Sequence, residues 1–286
     1  MDQKQLVWVD SDPSVGLPLH DCDDGFALFQ AIHAPALEIC GVSVGYGNTS
    51  ARSALRIARK LWSRLHSSGP SLIAGASAPG ILHSEHPALV ALANELKYHK
   101  EKMTLLALGP ATLFASLIRH RPDLKHRIDK IIWVAGRQPG ERLFIGQRCA
   151  YEFHDANFEK DPAAAQILLD SEIPMILIPV GLGTELMLTA DDFSILKRQG
   201  GSAGSWLTRR SRLWLFLWKI VFGLKGAPVF DCLAVLAASA PDLLDFSTCR
   251  IEVLEGKRVE LHYQLNDTGP HQVCTSISEG ARKALF

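Results

Sequence analysis

The 286-residue chain has no surplus of charge of either sign, with 30 Lys and Arg against 30 Asp and Glu. A protein that grips nucleic acid usually carries a basic excess to neutralise phosphates, so this balance argues against that class. The six cysteines, Cys22, Cys40, Cys149, Cys232, Cys249 and Cys274, never fall in a CxxC pair. That spacing speaks against a zinc ribbon or a dithiol redox motif. The first ten residues, MDQKQLVWVD, lack the apolar core of a signal peptide, and a reduced cytoplasmic protein is expected. The apolar stretch at residues 213–224 is too short to cross a bilayer, which takes about 20 residues. No internal repeat or low-complexity tract stands out. Hydrophobic residues at 47% and charged residues at 21% exclude a disordered chain, a collagen-like fibre and a small disulfide scaffold.

What is present is alternation. Residues 6–10 (LVWVD) read as a buried strand, and residues 24–33 as a helix with Phe26, Leu28, Phe29 and Ile32 on its apolar side. Residues 37–46 are β-rich. Residues 50–65 then show helical spacing at Ala54, Leu55, Ile57, Ala58, Leu61 and Trp62. Further short apolar runs at 103–108, 128–134 and 175–180 are each flanked by a helical pattern. Strands alternating with helices imply an α/β fold, an open and mostly parallel sheet flanked by helices, as a single domain over residues 1–286. In such sheets the ligand sits outside the carboxyl ends of the strands.

Residues 200–226 differ. A loop, GGSAGS, leads into a basic, Trp-rich stretch. It reads as a buried helix or subunit contact, with a membrane-surface helix and an aromatic lid as the other readings. In the tail, RIEVLEG (250–256) and VELHYQL (259–265) are β-like, and residues 276–286 are expected to form a last helix.

The informative segment is VDSDPSVGLPLHDCDDGFAL, residues 9–28. Asp10 and Asp12 end the first strand, and Asp23 and Asp24 open the next helix. Four carboxylates near one strand end repel one another unless a cation sits among them, and Ca²⁺ or Mg²⁺ takes such oxygen ligands. One of them alone could be a helix cap. In DANFEKDPAAA (155–165), Asp161 and Pro162 mark a helix start, while Asp155 and Asn157 lie upstream in a loop that can face a ligand. Phe230 and Asp231 begin an apolar helix.

Together DxDP…DDGFAL, Gly47-Asn48, TLLALGPAT (104–112), DANFEKDPAAA and FDCLAV (230–235) resemble the inosine–uridine nucleoside hydrolases, in family order over about residues 6–286. The resemblance implies a nucleoside-hydrolase-like fold that binds Ca²⁺ and the ribose of a nucleoside at the strand ends, in a homodimer or homotetramer. It implies that Asp12 binds the metal and takes the proton of the attacking water. It further implies metal binding by Asp24, by Asp231 and by the backbone carbonyl of Leu108. Asp23, Asn48, Asp155 and Asn157 would hold the ribose hydroxyls, with Asp155 standing where the family often has Glu. Asp10 would be an acidic neighbour behind the ligands. N-glycosidic cleavage places positive charge on the ribose in an oxocarbenium-like transition state, which surrounding carboxylates stabilise.

Two departures from the family pattern stand out. Residues 14–22 (SVGLPLHDC) intervene where the family turn is only a couple of residues, and they bring His20 and Asp21 near the site. Phe230 stands where many members have a His, a candidate acid for the leaving base. Other candidates around the base are His83, His86, His154 and the Trp-rich segment, with Trp214 and Trp218 foremost. Two other functions stay open on these residues. One is a nucleoside or ribose binder without turnover. The other is a haloacid-dehalogenase-type phosphatase, whose DxD also follows a first strand.

Overall fold

The computed structural model describes residues 4–65, 70–148, 151–255 and 258–285; Cys149 and Phe286 lie outside them. In chain order the strands begin with β1 (Gln5–Ser11), β2 (Leu37–Val44), β3 (Leu72–Ala74), β4 (Met103–Ala107) and β5 (Ile128–Val134). There follow the short pair β6 (Phe144–Ile145) and β7 (Tyr151–Glu152), then β8 (Met175–Ile178), β9 (Met187–Leu188) and β10 (Ala227–Pro228). The last three are β11 (Leu244–Leu254), β12 (Glu260–Leu265) and β13 (His271–Ile277). Nine of these form one sheet in the order β12-β11-β13-β8-β5-β4-β1-β2-β3. From β13 to β3 neighbouring strands run parallel, while β11 pairs antiparallel with both β12 and β13.

The parallel strands are near-continuous apolar runs because both of their faces are covered. In β1, Val7 and Val9 enter one core while Leu6 and Trp8 enter the other. In β5 the same alternation sends Ile132 and Val134 to one side and Ile131 and Trp133 to the other. The helices divide accordingly. On the first side lie α1 (Asp23–His33), α2 (Ala51–Trp62) and α10 (Phe230–Ser239). On the second lie α3 (Pro87–Tyr98), α4 (Thr112–His120) and α6 (Pro162–Asp170), the last preceded by the single turn α5 (Ala156–Glu159). The Asp161 carboxylate accepts the Ala164 N–H and so caps α6, as its sequence predicts.

Two expectations are overturned. GGSAGS is not a loop: α7 (Ala190–Gln199) is followed at once by α8 (Gly201–Arg210), and then by α9 (Arg212–Phe216) and a π-helical turn, Leu217–Val221. Small residues allow this because a Cβ on Gly204 would lie 2.4 Å from the Leu196 carbonyl oxygen of α7. The expected last helix at 276–286 is also wrong in kind. Ser276 belongs to β13, and only a 3₁₀ turn, Ala281–Ala284, follows. The Trp-rich stretch is split: Trp206, Trp214 and Trp218 are in the core, while Leu213, Phe216, Ile220 and Val221 are exposed. No helix among the described residues is long and apolar enough to cross a membrane.

Candidate active site

The parallel sheet points the ends of β1, β2, β4 and β5 to one edge, and the acidic residues gather there. Alternation along β1 sends Asp10 and Asp12 to one side and Ser11 to the other. Asp10 is buried behind the site and accepts a 2.5 Å hydrogen bond from Ser43 Oγ of β2. Burial, added to by the nearby Asp24 charge, pushes its carboxyl up to about 7 against the pull of that hydrogen bond. Asp12 is fully buried. The Asn48 backbone N–H donates to its Oδ2, and its own N–H donates to Asp24 Oδ1 at 2.9 Å. Ser11 Oγ reaches the same Asp24 oxygen at 2.7 Å, and Asn48 Nδ2 donates to Asp24 Oδ2 at 2.9 Å. Glycine is required beside Asp12: a Cβ on Gly47 would sit 1.7 Å from Asp12 Oδ2.

The start of α10 meets the start of α1 through Asp23, whose Oδ2 accepts the N–H groups of Phe230 (3.0 Å) and Asp231 (3.1 Å). This brings a distant carboxylate home: ligand oxygens of Asp23, Asp24 and Asp231 all lie within 4.8 Å of one another, and all three residues are buried. Burial holds the carboxyls of Asp12, Asp23 and Asp231 well above the usual carboxylate range, and repulsion adds to it, from Asp24 at Asp12, from Asp21 and Asp24 at Asp23, and from Asp23 and Asp24 foremost at Asp231. Asp12 Oδ1 is buried with no hydrogen-bond partner. An unpartnered carboxylate oxygen beside three converging carboxylates is the donor set of a hard divalent cation, so these residues fit such an ion.

The cavity against this cluster is lined by Asp21, Asp23, Asn48, Leu108, Asn157 and Asp231, with Phe153, His154, Asp155, Val180 and Phe230 among the rest of its wall. Asn157 Nδ2 donates to the carbonyls of Leu108 (3.1 Å) and Val134 (3.0 Å), which pins the ends of β4 and β5. Asp155 accepts from the Gly136 N–H at 2.6 Å and from the Phe158 N–H at 3.3 Å, so it also caps α5. Burial raises its carboxyl to about 6 despite these bonds. The inserted residues contribute Asp21, likewise raised by burial to about 6, whereas His20 is exposed and turned back onto the Pro18 carbonyl.

The structure does not bring the tentative base-pocket residues to this cavity. His83 is exposed on a loop beside His86, with ring centroids 5.5 Å apart. Trp214 stacks on Phe26 in the core at 5.9 Å. Trp218 packs behind Phe153, which in turn lies 4.9 Å from Phe230. The aromatic wall facing the cavity is therefore Phe153 with Phe230, and sequence reasoning missed Phe153. Its position two residues before Asp155 was the available signal. His154 is the one former candidate histidine on the cavity wall. Its Nδ1 lies 3.5 Å from Glu159 Oε1.

The family model described as inosine-uridine preferring nucleoside hydrolase matches residues 7–282. The chain belongs to that family. Nucleoside hydrolases act on N-glycosyl bonds, and this chain is a hydrolase of that class, which sets aside the phosphatase reading. Among its relatives is uridine nucleosidase 1 of Arabidopsis thaliana, 24% identical over 94% of this chain and 84% of that protein. The pyrimidine-specific ribonucleoside hydrolase RihB of Shigella sonnei is also 24% identical, over 88% of this chain and 83% of that one. Among solved structures, a plant nucleoside hydrolase, the PpNRh1 enzyme, superposes with a TM-score of 0.82 at 18% identity, covering 99% of this chain and 98% of that one. A purine-preferring ribonucleoside hydrolase from Gardnerella vaginalis gives 0.81 at 22% identity, covering 98% and 96%. These likenesses agree with the mostly parallel sheet and its flanking helices.

Proposed function

We propose that this nucleoside hydrolase cleaves ribonucleosides to ribose and free base with a calcium ion held by Asp12, Asp24, Asp231 and the carbonyl of Leu108. The observation that carries the reading is the convergence of the buried carboxylates of Asp23, Asp24 and Asp231 from two distant segments, with the Asp12 N–H bonded to Asp24 at 2.9 Å and Asp12 Oδ1 buried without a hydrogen-bond partner. An all-oxygen donor set favours a hard ion, and calcium bound there would supply Lewis-acid activation of a water and a grip on the sugar diol. Asp12 accepts the proton of the attacking water. Its buried Oδ1, which accepts no hydrogen bond from the protein, is the atom assigned to take it. Asp23, Asn48, Asp155 and Asn157 orient the ribose hydroxyls, and Asp10 and Ser43 support β1 from behind. As the C1′–N bond breaks, the carboxylates stabilise the positive sugar. Its electron pair passes to the base nitrogen, and His154 on the cavity wall supplies the proton there. The single domain works in the cytoplasm as a homodimer or homotetramer.

A second reading is a nucleoside binder without turnover, favoured by Phe230 at the position where many members carry an acid. Purified protein in CaCl₂, offered inosine, uridine and p-nitrophenyl riboside, separates the two. Ribose release that stops with EDTA and returns with calcium supports hydrolysis. Saturable nucleoside binding with no ribose release on any substrate supports the binder.

A further inference from the structure

We infer that Cys40, Glu95 and His99 form a second metal site, for Zn²⁺, at the seam between β2 and the carboxyl end of α3. Cys40 lies within β2, and Glu95 and His99 stand four residues apart at the end of α3, a spacing that puts both on one side of the helix. A sulfur, a carboxylate oxygen and an imidazole nitrogen from these residues all lie within 4.8 Å of one another. His99 Nε2 is 3.3 Å from Glu95 Oε2. Tetrahedral zinc, with bonds of about 2.0–2.3 Å, places neighbouring ligand atoms roughly 3.3–3.8 Å apart. Side-chain shifts of about 1 Å therefore close the shell.

The setting favours a cation of this kind. All three residues are half-buried, so the site is sheltered yet open to an ion and to a water as fourth ligand. Burial, and after it the charges of Glu95 and of Glu38 two residues before Cys40 on the same strand face, push the thiol up to about 12, so the ion must displace a firmly held proton, while the same two charges draw a cation to the site. Thiolate and imidazole donors select zinc over calcium or magnesium, so the site is chemically distinct from the all-oxygen cluster at the strand ends. Binding needs no redox partner: the Cys40 thiol gives its proton to solvent and the thiolate sulfur bonds the ion. The absence of CxxC spacing does not bear on such a site, because its ligands come from two separate elements. The bound ion would fasten α3 to the sheet, and by mass action it would stabilise the fold that holds it.

Full-length protein is stripped of metal and kept in excess CaCl₂, so that the oxygen cluster is occupied. It is then titrated with CoCl₂ and with ZnCl₂. The inference expects a thiolate-to-cobalt charge-transfer band that zinc displaces, and a Tm that rises with zinc. Cys40→Ser should abolish the band, and His99→Gln should weaken zinc binding at least about tenfold, since even outer-shell partners cost 10–100-fold. A band that persists in Cys40→Ser would assign the sulfur to another cysteine and overturn the inference, as would a wild-type protein that shows no band. Should Cys40→Ser fail to fold, His99→Gln and Glu95→Gln at the helix end decide: weakened zinc binding in both supports the site, and unchanged binding overturns it.

Discussion

Replacing Asp231 with Asn should make the metal-free protein more stable and the calcium-loaded protein less so. Asp231 shares a sphere with Asp23 and Asp24, each with an oxygen within 4.8 Å of the others. At an effective dielectric constant of about 20, two unit charges at that separation repel by about 3.5 kcal/mol, so full ionisation of the trio would set about 7 kcal/mol against Asp231. A proton offers a cheaper way out. Protonating one carboxyl at pH 7 costs about 4 kcal/mol relative to its unfolded value, which caps the penalty. The Asn variant therefore gains up to about 4 kcal/mol without metal, or roughly 8 °C of Tm at the upper bound. The sign with pH follows from the raised proton affinity of Asp231 in the fold. Its contribution is present below its unfolded pKa and is lost as pH rises through the folded one. The advantage of the variant should accordingly shrink towards pH 4. Thermal melts in EDTA and in CaCl₂, at pH 5 and pH 7.5, give the four comparisons. In calcium the order should reverse, because the wild type alone retains the full ligand set. A variant that melts below the wild type in EDTA at pH 7.5 would refute the reasoning, since Asp231 would then be a stabilising carboxylate rather than a repelled one.

Three further outcomes are expected. Asp12→Asn should lower ribonucleoside turnover by about 10²–10⁴-fold, the worth of a positioned base, with no loss of Tm; turnover within a few-fold of wild type would remove Asp12 from that role. His154→Gln should cut turnover of inosine and uridine by about 10²-fold, the low end for an acid whose side chain is 38% exposed, and spare p-nitrophenyl riboside; equal losses on both kinds of substrate would mean that His154 only shapes the site. Gly47→Ala should cost about 1–3 kcal/mol in a denaturant melt, because its Cβ would meet Asp12 Oδ2 at 1.7 Å and the loop must shift; an unchanged midpoint would show that the loop gives way freely.

The strands were legible because the parallel sheet leaves a continuous apolar signature: residues 6–10, 103–108 and 128–134 all fall on β1, β4 and β5 to within a residue or so. The carboxylates were legible too, since Asp10, Asp12, Asp23 and Asp24 crowd one short segment and an acidic crowd needs an explanation. What was not legible depended on partners far along the chain. GGSAGS looks like a loop to any local rule, but Gly204 has no Cβ to meet the Leu196 carbonyl oxygen, and residues 201–205 run as the first turn of α8. Residues 276–286 read as a helix, but Ser276 and Ile277 end β13 and pair with Asp245 and Leu244 of β11. Trp214 and Trp218 carry the residue type of a stacking wall, yet Phe26 and Phe153 take up their faces.

The inserted residues show how a local departure is absorbed and what it changes. Asp12 and Asp24 lie on either side of the insertion and still meet, through the 2.9 Å bond from the Asp12 N–H, because the intervening chain closes on itself. The Leu17 N–H returns to the Ser14 carbonyl at 3.0 Å, Gly16 takes a φ of 80° that other residues resist, and Ser14 Oγ donates to the Asp21 carbonyl. The loop is also fastened outward. Arg210 of α8 donates to the Gly16 carbonyl at 3.2 Å, and Val15 packs so closely on α1 that a Cβ on Gly25 would lie 2.3 Å from its methyl group. Leu207 of α8 presses on the same glycine. The helical segment that the sequence marks as unusual is therefore tied to the start of α1, where Asp23 and Asp24 stand. The same loop adds Asp21 to the cavity wall. Through this loop α8 is packed against the start of α1, which carries two of the carboxylates proposed to hold the metal or the ribose.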